Sequence, residues 1–400
     1  MKTKIFALII TICLLLSSCS AELYNDSDSR KNEICEDEEI RAVWINYNEL
    51  NEIIKSSKNT DELSNSIENV IKNCKSFGLN RIFLHVRAYA DAYYCSEVFP
   101  VTDSLENRIK SDKSFDPLKL FCETAHNYGI KIDAWINPYR ISYCADTDKL
   151  KNMLVKEMIE NTSTDICIID KGIFFNPASQ KTQSLIINGV REILKNYKVD
   201  GIHIDDYFYP VTDESFDEKS YSIYTKSGGK LDLMSWRTEN VNSLISQIYS
   251  TVKSYDDKLI FSISPSADID LNLNEYCADV NLWCSQRGYA DYIIPQIYFG
   301  FNNENLPFEK VVGEWENLLN TNEVKLCFGL ACYKIGKEDE YAGTGRNEWI
   351  KNHSIISRQI CFVRKSESYH GFSLYSYSSL FYPENVEKNK KELQNIENVI

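Results

Sequence analysis

The chain predicts an α/β protein, a (β/α)8 TIM barrel with long loops after its third and fourth strands. Three observations lead there. From residue 40 onward, eight short apolar runs alternate with amphipathic segments. No Pro/Gly/Ser-rich linker divides the region, so residues 39–400 read as one barrel domain. Polar and aromatic residues collect at the carboxyl ends of the runs, the face where parallel α/β barrels meet their ligands.

The eight runs are Ile40–Asn46, Arg81–Val86, Lys131–Asn137, Val199–Ile204, Leu259–Ser264, Tyr292–Ile297, Lys325–Leu330 and Gly371–Tyr375. Helical spacing occupies the stretches near 60–76, 117–128, 179–197, 235–255, 275–287, 307–320, 346–366 and 384–398. In the third, Leu185, Ile186, Val190, Ile193, Leu194 and Tyr197 form an apolar stripe, and Ser179 is placed to cap it. Phe77-Gly78 and Tyr128-Gly129 are helix-stop signals. The loop 139–179 carries Ile166–Ile169 and Gly172–Phe175 around Asp170-Lys171, a predicted β-hairpin. The loop 207–235 is rich in Ser, Tyr, Lys and Gly, and both loops should wall a cleft.

Residues 1–18 read as a processing signal: Lys2 and Lys4 precede an apolar core, Ile5 to Leu16, too short for a comfortable membrane span. Leu16-Ser17-Ser18-Cys19 resembles a bacterial lipobox, with cleavage before Cys19 and lipidation of its thiol. That would anchor the protein to the outward face of a bacterial membrane. The polar, acidic residues 19–38 read as a flexible tether.

Net charge is −14, which excludes a nucleic acid partner held by bulk electrostatics and leaves a neutral glycan admissible. Of thirteen cysteines, setting aside Cys13 and Cys19 leaves an odd number, without CxxC pairs or Cys/His zinc spacing. Cys74, Cys122, Cys167, Cys327 and Cys361 sit in apolar runs and read as small buried hydrophobes. No Gly-rich phosphate loop or HExxH occurs, so no cofactor or metal is expected.

The fourth run carries the chemistry. Gly201-Ile202-His203-Ile204 ends in Asp205-Asp206-Tyr207-Phe208-Tyr209. Adjacent ionised carboxylates are costly unless protons, metals or hydrogen bonds offset them. Acids among aromatics that can stack on a sugar ring point to glycoside chemistry, which needs two carboxyl groups. Asp206 faces away from Asp205 if the strand continues, and joins it if the strand ends there.

The runs resemble the glycosyl-hydrolase-like family 10 proteins of bacterial envelopes, over roughly residues 38–380. The resemblance rests on Arg41-Ala42-Val43-Trp44, Val86-Arg87-Ala88-Tyr89-Ala90-Asp91-Ala92, Ala134-Trp135-Ile136-Asn137-Pro138-Tyr139-Arg140, Asp200-Gly201-Ile202-His203-Ile204-Asp205-Asp206-Tyr207, Trp236-Arg237 and Pro295-Gln296-Ile297-Tyr298. It implies a glycosidase-like barrel, a glycan substrate and, from at least one member, hydrolysis of peptide-free peptidoglycan strands. Asp200 to Asp205 is also similar to the strand-four pattern of the α-amylase superfamily, in which the final Asp is the nucleophile. Asp205 is thereby the nucleophile or base candidate. Asp206 is the first choice for proton donor, ahead of Asp91, Asp268 and Glu97. Arg87, Asp91, Asn137, Tyr139, Arg140, His203, Tyr207, Gln296, Tyr298 and Tyr333 are the candidate substrate-binding residues. A structural ion pair is the alternative for Arg87. His126, His353 and His370 read as structural. The competing readings are a carbohydrate-binding lipoprotein without turnover and a structural envelope partner.

Overall fold

The computed structural model describes residues 39–400, except 151, 162–163 and 384–385. The expected leader, the lipidated Cys19 and the acidic tether lie outside the described residues. Eleven strands follow in chain order: β1 (Ile40–Ile45), β2 (Arg81–Arg87), β3 (Lys131–Ile136), β4 (Arg140–Ser142), β5 (Ile166–Ile169), β6 (Gly172–Phe175), β7 (Gly201–Ile204), β8 (Ile260–Ile263), β9 (Tyr292–Ile293), β10 (Lys325–Ala331) and β11 (Tyr369–Tyr375). Eight of them close into a barrel in the order β1-β11-β10-β9-β8-β7-β3-β2, and every neighbouring pair is parallel. The expected hairpin is β5 and β6, antiparallel, and β4 joins it as a third strand. The loop after β7 contains a helix, Glu218–Lys226.

Alternation along each strand sorts residues into two cores. Ala42, Trp44, Phe83, Trp135, Tyr292, Ile294 and Cys327 fill the barrel interior. Val43, Ile45, Ile82, Leu84, Ile132 and Ala134 face outward into the larger core beneath the helices. Polar caps start the helices where the sequence says they should. Asn59 receives the Glu62 N–H, Asp116 the Lys119 N–H ahead of Pro117, and Ser179 the Thr182 N–H. Gly78 and Gly129 end helices at φ +82° and +69°, where a side chain would be strained.

Three expectations are corrected. The stretch 275–287 is not one helix: Ile269–Tyr276 ends at Cys277 in a left-handed conformation, and Asp279 caps a new helix, Val280–Ser285. The stretch 346–366 is likewise divided into Glu348–Lys351 and Ile355–Val363. On the latter helix Ile356, Ile360 and Val363 take the inner face, which leaves Cys361 exposed rather than buried. Cys74, Cys122, Cys167 and Cys327 are buried free thiols, as expected.

Candidate active site

Strand β7 stops at Ile204, so the chain turns and presents both following carboxylates to one cavity at the C-terminal mouth of the barrel. Its volume is about 180 Å³. Asp205 and Asp206 share its wall with Trp44, Trp135, Tyr207 and Ser264. Gln296, Tyr298, Tyr333 and Tyr375 complete it, from the ends of β9, β10 and β11. No other carboxylate lines it among the described residues.

Asp205 is buried and held by neutral donors. The Trp135 indole donates to Oδ2 at 3.0 Å, the Asn137 amide to Oδ1 at 3.3 Å, and the Tyr207 backbone N–H to Oδ1 at 3.4 Å. Burial, reinforced by the neighbouring Asp206, pushes the Asp205 carboxyl up to about 7. Burial also raises Asp206, against hydrogen bonds from its own backbone and Gln296 and against the charge of Arg140. The Arg140 guanidinium is sandwiched between the rings of Tyr89 and Tyr207, 4.6 and 4.2 Å from their centroids. From there its charge favours ionisation of both acids without pairing with either.

A layer deeper, His203 is wholly buried and stacked on Phe83 at 4.2 Å. The Trp44 indole donates to its Nε2 at 3.0 Å, so Nε2 is an acceptor and Nδ1 carries the hydrogen, 2.8 Å from Ser262 Oγ. Burial holds the ring neutral, lowering it to about 3. His203 therefore supports Trp44 and the cavity floor rather than exchanging protons at neutral pH. Gly329 makes room for Trp44: a Cβ there would lie 3.0 Å from the indole.

The remaining candidates divide. Asn137, Arg140, Tyr207, Gln296, Tyr298 and Tyr333 meet at the acids or their immediate support. Asp91 lies apart, in a cavity of about 610 Å³ walled by Tyr89, Tyr143 and Asn152. Asp268 is occupied as the cap of the helix Ile269–Tyr276, and Glu97 is exposed. Arg87 is 1% exposed and lies over the Phe99 ring at 4.5 Å, toward the helical layer rather than in the cavity. Among the described residues no ion pair holds it there: Nη1 and Nη2 have no hydrogen-bond partner. A register shift between His85 and Arg87 accompanies this orientation. Tyr139 is also turned away, its buried hydroxyl unpartnered in the outer core. Trp44, Trp135, Ser264 and Tyr375 belong to the cavity but were not among the candidates; their place at strand ends was the available signal. His126 bonds Asp200 at 2.8 Å and His370 approaches the Ser368 carbonyl at 3.0 Å, both away from the cavity. Among the described residues, no cluster of three or more His, Cys, Asp or Glu side chains could hold a metal ion.

The model of the glycosyl hydrolase-like 10 family matches residues 39–343. The chain belongs to this family. Glycosyl hydrolase YngK of Bacillus subtilis is 28% identical over 350 residues, 82% of this chain and 68% of that protein. Glycosyl hydrolase DigH of Escherichia coli K12 is 27% identical over 314 residues, 71% of this chain and 68% of that one. The glycoside hydrolase domain of PgaB from Bordetella bronchiseptica superposes with a TM-score of 0.57 at 13% identity, covering 90% of this chain and 98% of that domain. The catalytic domain of a β-amylase from Paenibacillus polymyxa gives 0.54 at 11%, over 91% and 98%. These two likenesses concern the barrel alone, which they share. The family fixes the class of reaction: the protein is a glycoside hydrolase.

Proposed function

We propose that the protein is a membrane-anchored glycoside hydrolase cleaving O-glycosidic bonds of a peptidoglycan-type or other extracellular glycan with Asp205 and Asp206. One observation carries this reading: two adjacent carboxylates, both raised by burial, line one aromatic-walled cavity at the barrel mouth. A buried acid and its partly buried sequence neighbour in one cavity do not both ionise easily, so near neutral pH the pair tends to retain one proton. Three N–H donors converge on Asp205 and favour the anion there. The retained proton is shared within the pair, and these donors let Asp205 give it up to act as the anion while Asp206 serves as the acid. That is the division of labour a glycosidase requires, one carboxylic acid to protonate the leaving oxygen and one carboxylate to act on the anomeric carbon or activate water.

The aromatic walls supply flat apolar surface for a sugar ring, while Gln296 and Ser264 offer hydrogen bonds to hydroxyls. The lipobox-like Leu16-Ser17-Ser18-Cys19 supports tethering at the cell surface, where such glycans lie. The test is turnover of peptide-free peptidoglycan strands and a panel of neutral oligosaccharides by wild type, Asp205→Asn and Asp206→Asn. Asp205→Asn should fall by at least ~10²–10⁴-fold while folding normally. Wild-type turnover by a normally melting Asp205→Asn would overturn the mechanism. Sugar binding with no turnover by any of the three would replace it with the carbohydrate-binding lipoprotein.

A further inference from the structure

His85 of β2 is paired in register with Trp135 of β3, and their rings stack face to face, centroids 3.6 Å apart and planes within 10°. Tyr47, the first residue of the helix Tyr47–Ser56, meets the imidazole edge-on at 5.6 Å. The indole that His85 covers is the one that donates to Asp205 Oδ2 at 3.0 Å. The imidazole is therefore linked to the acid through a single intervening ring.

Three features narrow what this imidazole can do. It is 2% exposed, and neither Nδ1 nor Nε2 has a hydrogen-bond partner among the described residues. Unpartnered buried nitrogens oppose folding, so stability alone would be served as well by a carbon side chain. Both nitrogens are shut off from the cavity, so the ring does not touch a sugar bound there. Burial, with the fields of Arg140, His203 and Arg87, holds its pKa well below the usual histidine range, so it carries no charge to Asp205. What remains is its flat face. The donor strength of an indole N–H depends on its angle, and a tilt of the ring carries Nε1 away from Oδ2. The other ring that meets Trp135, His203, does so edge-on at 6.0 Å, so the stacked face belongs to His85.

We propose that His85 is a positioning residue: its flat face fixes the plane of the Trp135 indole, and through it the hydrogen bond that holds Asp205 ready as the anion. The proposal rests on the reading of Asp205 as the catalytic carboxylate. It requires a flat ring at position 85, and not a titratable one.

The experiment follows the Asp205 carboxyl without turnover, by the infrared difference between each full-length protein and the same protein carrying Asp205→Asn, between pH 4 and 8. The acid limb of kcat/KM on peptide-free peptidoglycan strands is measured beside it. His85→Leu fills the space without a flat face, and His85→Phe keeps a flat ring without nitrogens. His85→Leu should raise both the titration and the limb by about 1 pH unit, because an indole free to tilt donates less well to the anion. His85→Phe should leave both within about 0.3 pH unit of wild type. Adding His85→Leu to Trp135→Phe should move nothing further, since the donor is already gone. Thermal melting shows which variants fold. Should His85→Leu not fold, His85→Met takes its place; should His85→Phe not fold, His85→Leu and its combination with Trp135→Phe decide. No shift in His85→Leu overturns the proposal and leaves His85 as packing. An equal shift in His85→Leu and His85→Phe overturns it in favour of the ring nitrogens. A shift that adds in full to that of Trp135→Phe overturns it by bypassing the indole. A wild type that cleaves no glycan while the titration moves as described removes the catalytic reading and keeps the positioning. Turnover that depends on Asp205, with an unmoved titration, does the reverse.

Discussion

Among the described residues, Asp133 and Asp205 are fully buried acids toward opposite ends of this barrel, and their surroundings differ in kind. Asp133 on β3 lies toward the amino end, where Arg81 of β2 reaches both its oxygens at 2.5 and 2.8 Å. Asp205 lies just past β7 at the carboxyl end, held by an indole, an amide and a backbone N–H, with another acid as neighbour. Burial raises both, Asp133 to about 6 and Asp205 to about 7. Their partners decide the role. A permanent cation pairs directly with the first at the barrel floor. Neutral donors stabilise the second as an anion without fixing it, so its proton can be exchanged with a substrate. Burial and a shifted pKa are thus insufficient to mark a catalytic acid; what matters is whether the partner neutralises it.

Breaking each end separately should expose that difference. Asp205→Asn removes charge where charge is used, and activity should fall by ~10²–10⁴-fold or more with little change in melting. Arg81→Met should do the opposite. It strands Asp133 in the barrel floor, at a cost of about 3–5 kcal/mol in stability by denaturant titration. Because Asp133 titrates near 6, the loss should be larger at pH 8 than at pH 5. The fraction still folded should retain its kcat, and a selective loss of kcat would erase the distinction between the two ends. Trp135→Phe is a finer probe. It keeps the ring stacked on His85 at 3.6 Å and deletes one donor to Asp205. A hydrogen bond to a charged group is worth about 1.5–3 kcal/mol, so the acid limb of the pH–rate profile should move up by about 1–2 pH units. An unmoved limb would mean that the proton measured there is not on Asp205.

The sequence made the closed end and the open end legible to different degrees. Strand and helix order was readable because alternation, caps such as Ser179 and stops such as Gly78 act locally. The acid pair was readable because it ends an apolar run. What the sequence could not provide was the direction of a side chain at a strand end. Arg87 and Tyr139 sit where ligand contacts are expected, yet a register shift and outer-core packing turn them away. Trp44 and Trp135 stand at strand ends in the sequence and pack into the barrel core in the fold, but their indole N–H groups also point at His203 and Asp205. That depends on ring orientation set by barrel closure, with Gly329 of β10 clearing space for an indole from β1.

The smallest expected effect tests the comparison through stability alone. An acid whose folded pKa is raised holds its proton in the native state after the unfolded chain has lost it. Between the unfolded value near 3.8 and the folded value of about 7, the native state therefore binds more protons, and stability falls as pH rises. Asp205→Asn removes Asp205's share of that slope because an amide does not titrate, leaving what Asp206 contributes. At pH 4 the protonated acid and the amide are close equivalents in charge and shape, each with one carbonyl oxygen for donors that approach both oxygens of the anion, Trp135 on Oδ2 and Asn137 on Oδ1, and the two proteins should melt together. At pH 8 the wild type carries a buried anion and the variant does not, so the variant should melt a few degrees higher. Asp133→Asn would not behave this way, because it leaves the Arg81 cation buried without its counter-ion and should melt lower at both pH values. Melting curves of the three proteins at pH 4, 6 and 8 make the measurement. Curves for wild type and Asp205→Asn that run parallel across that range would show that Asp205 is ionised throughout, and that its neutral donors offset its burial in full.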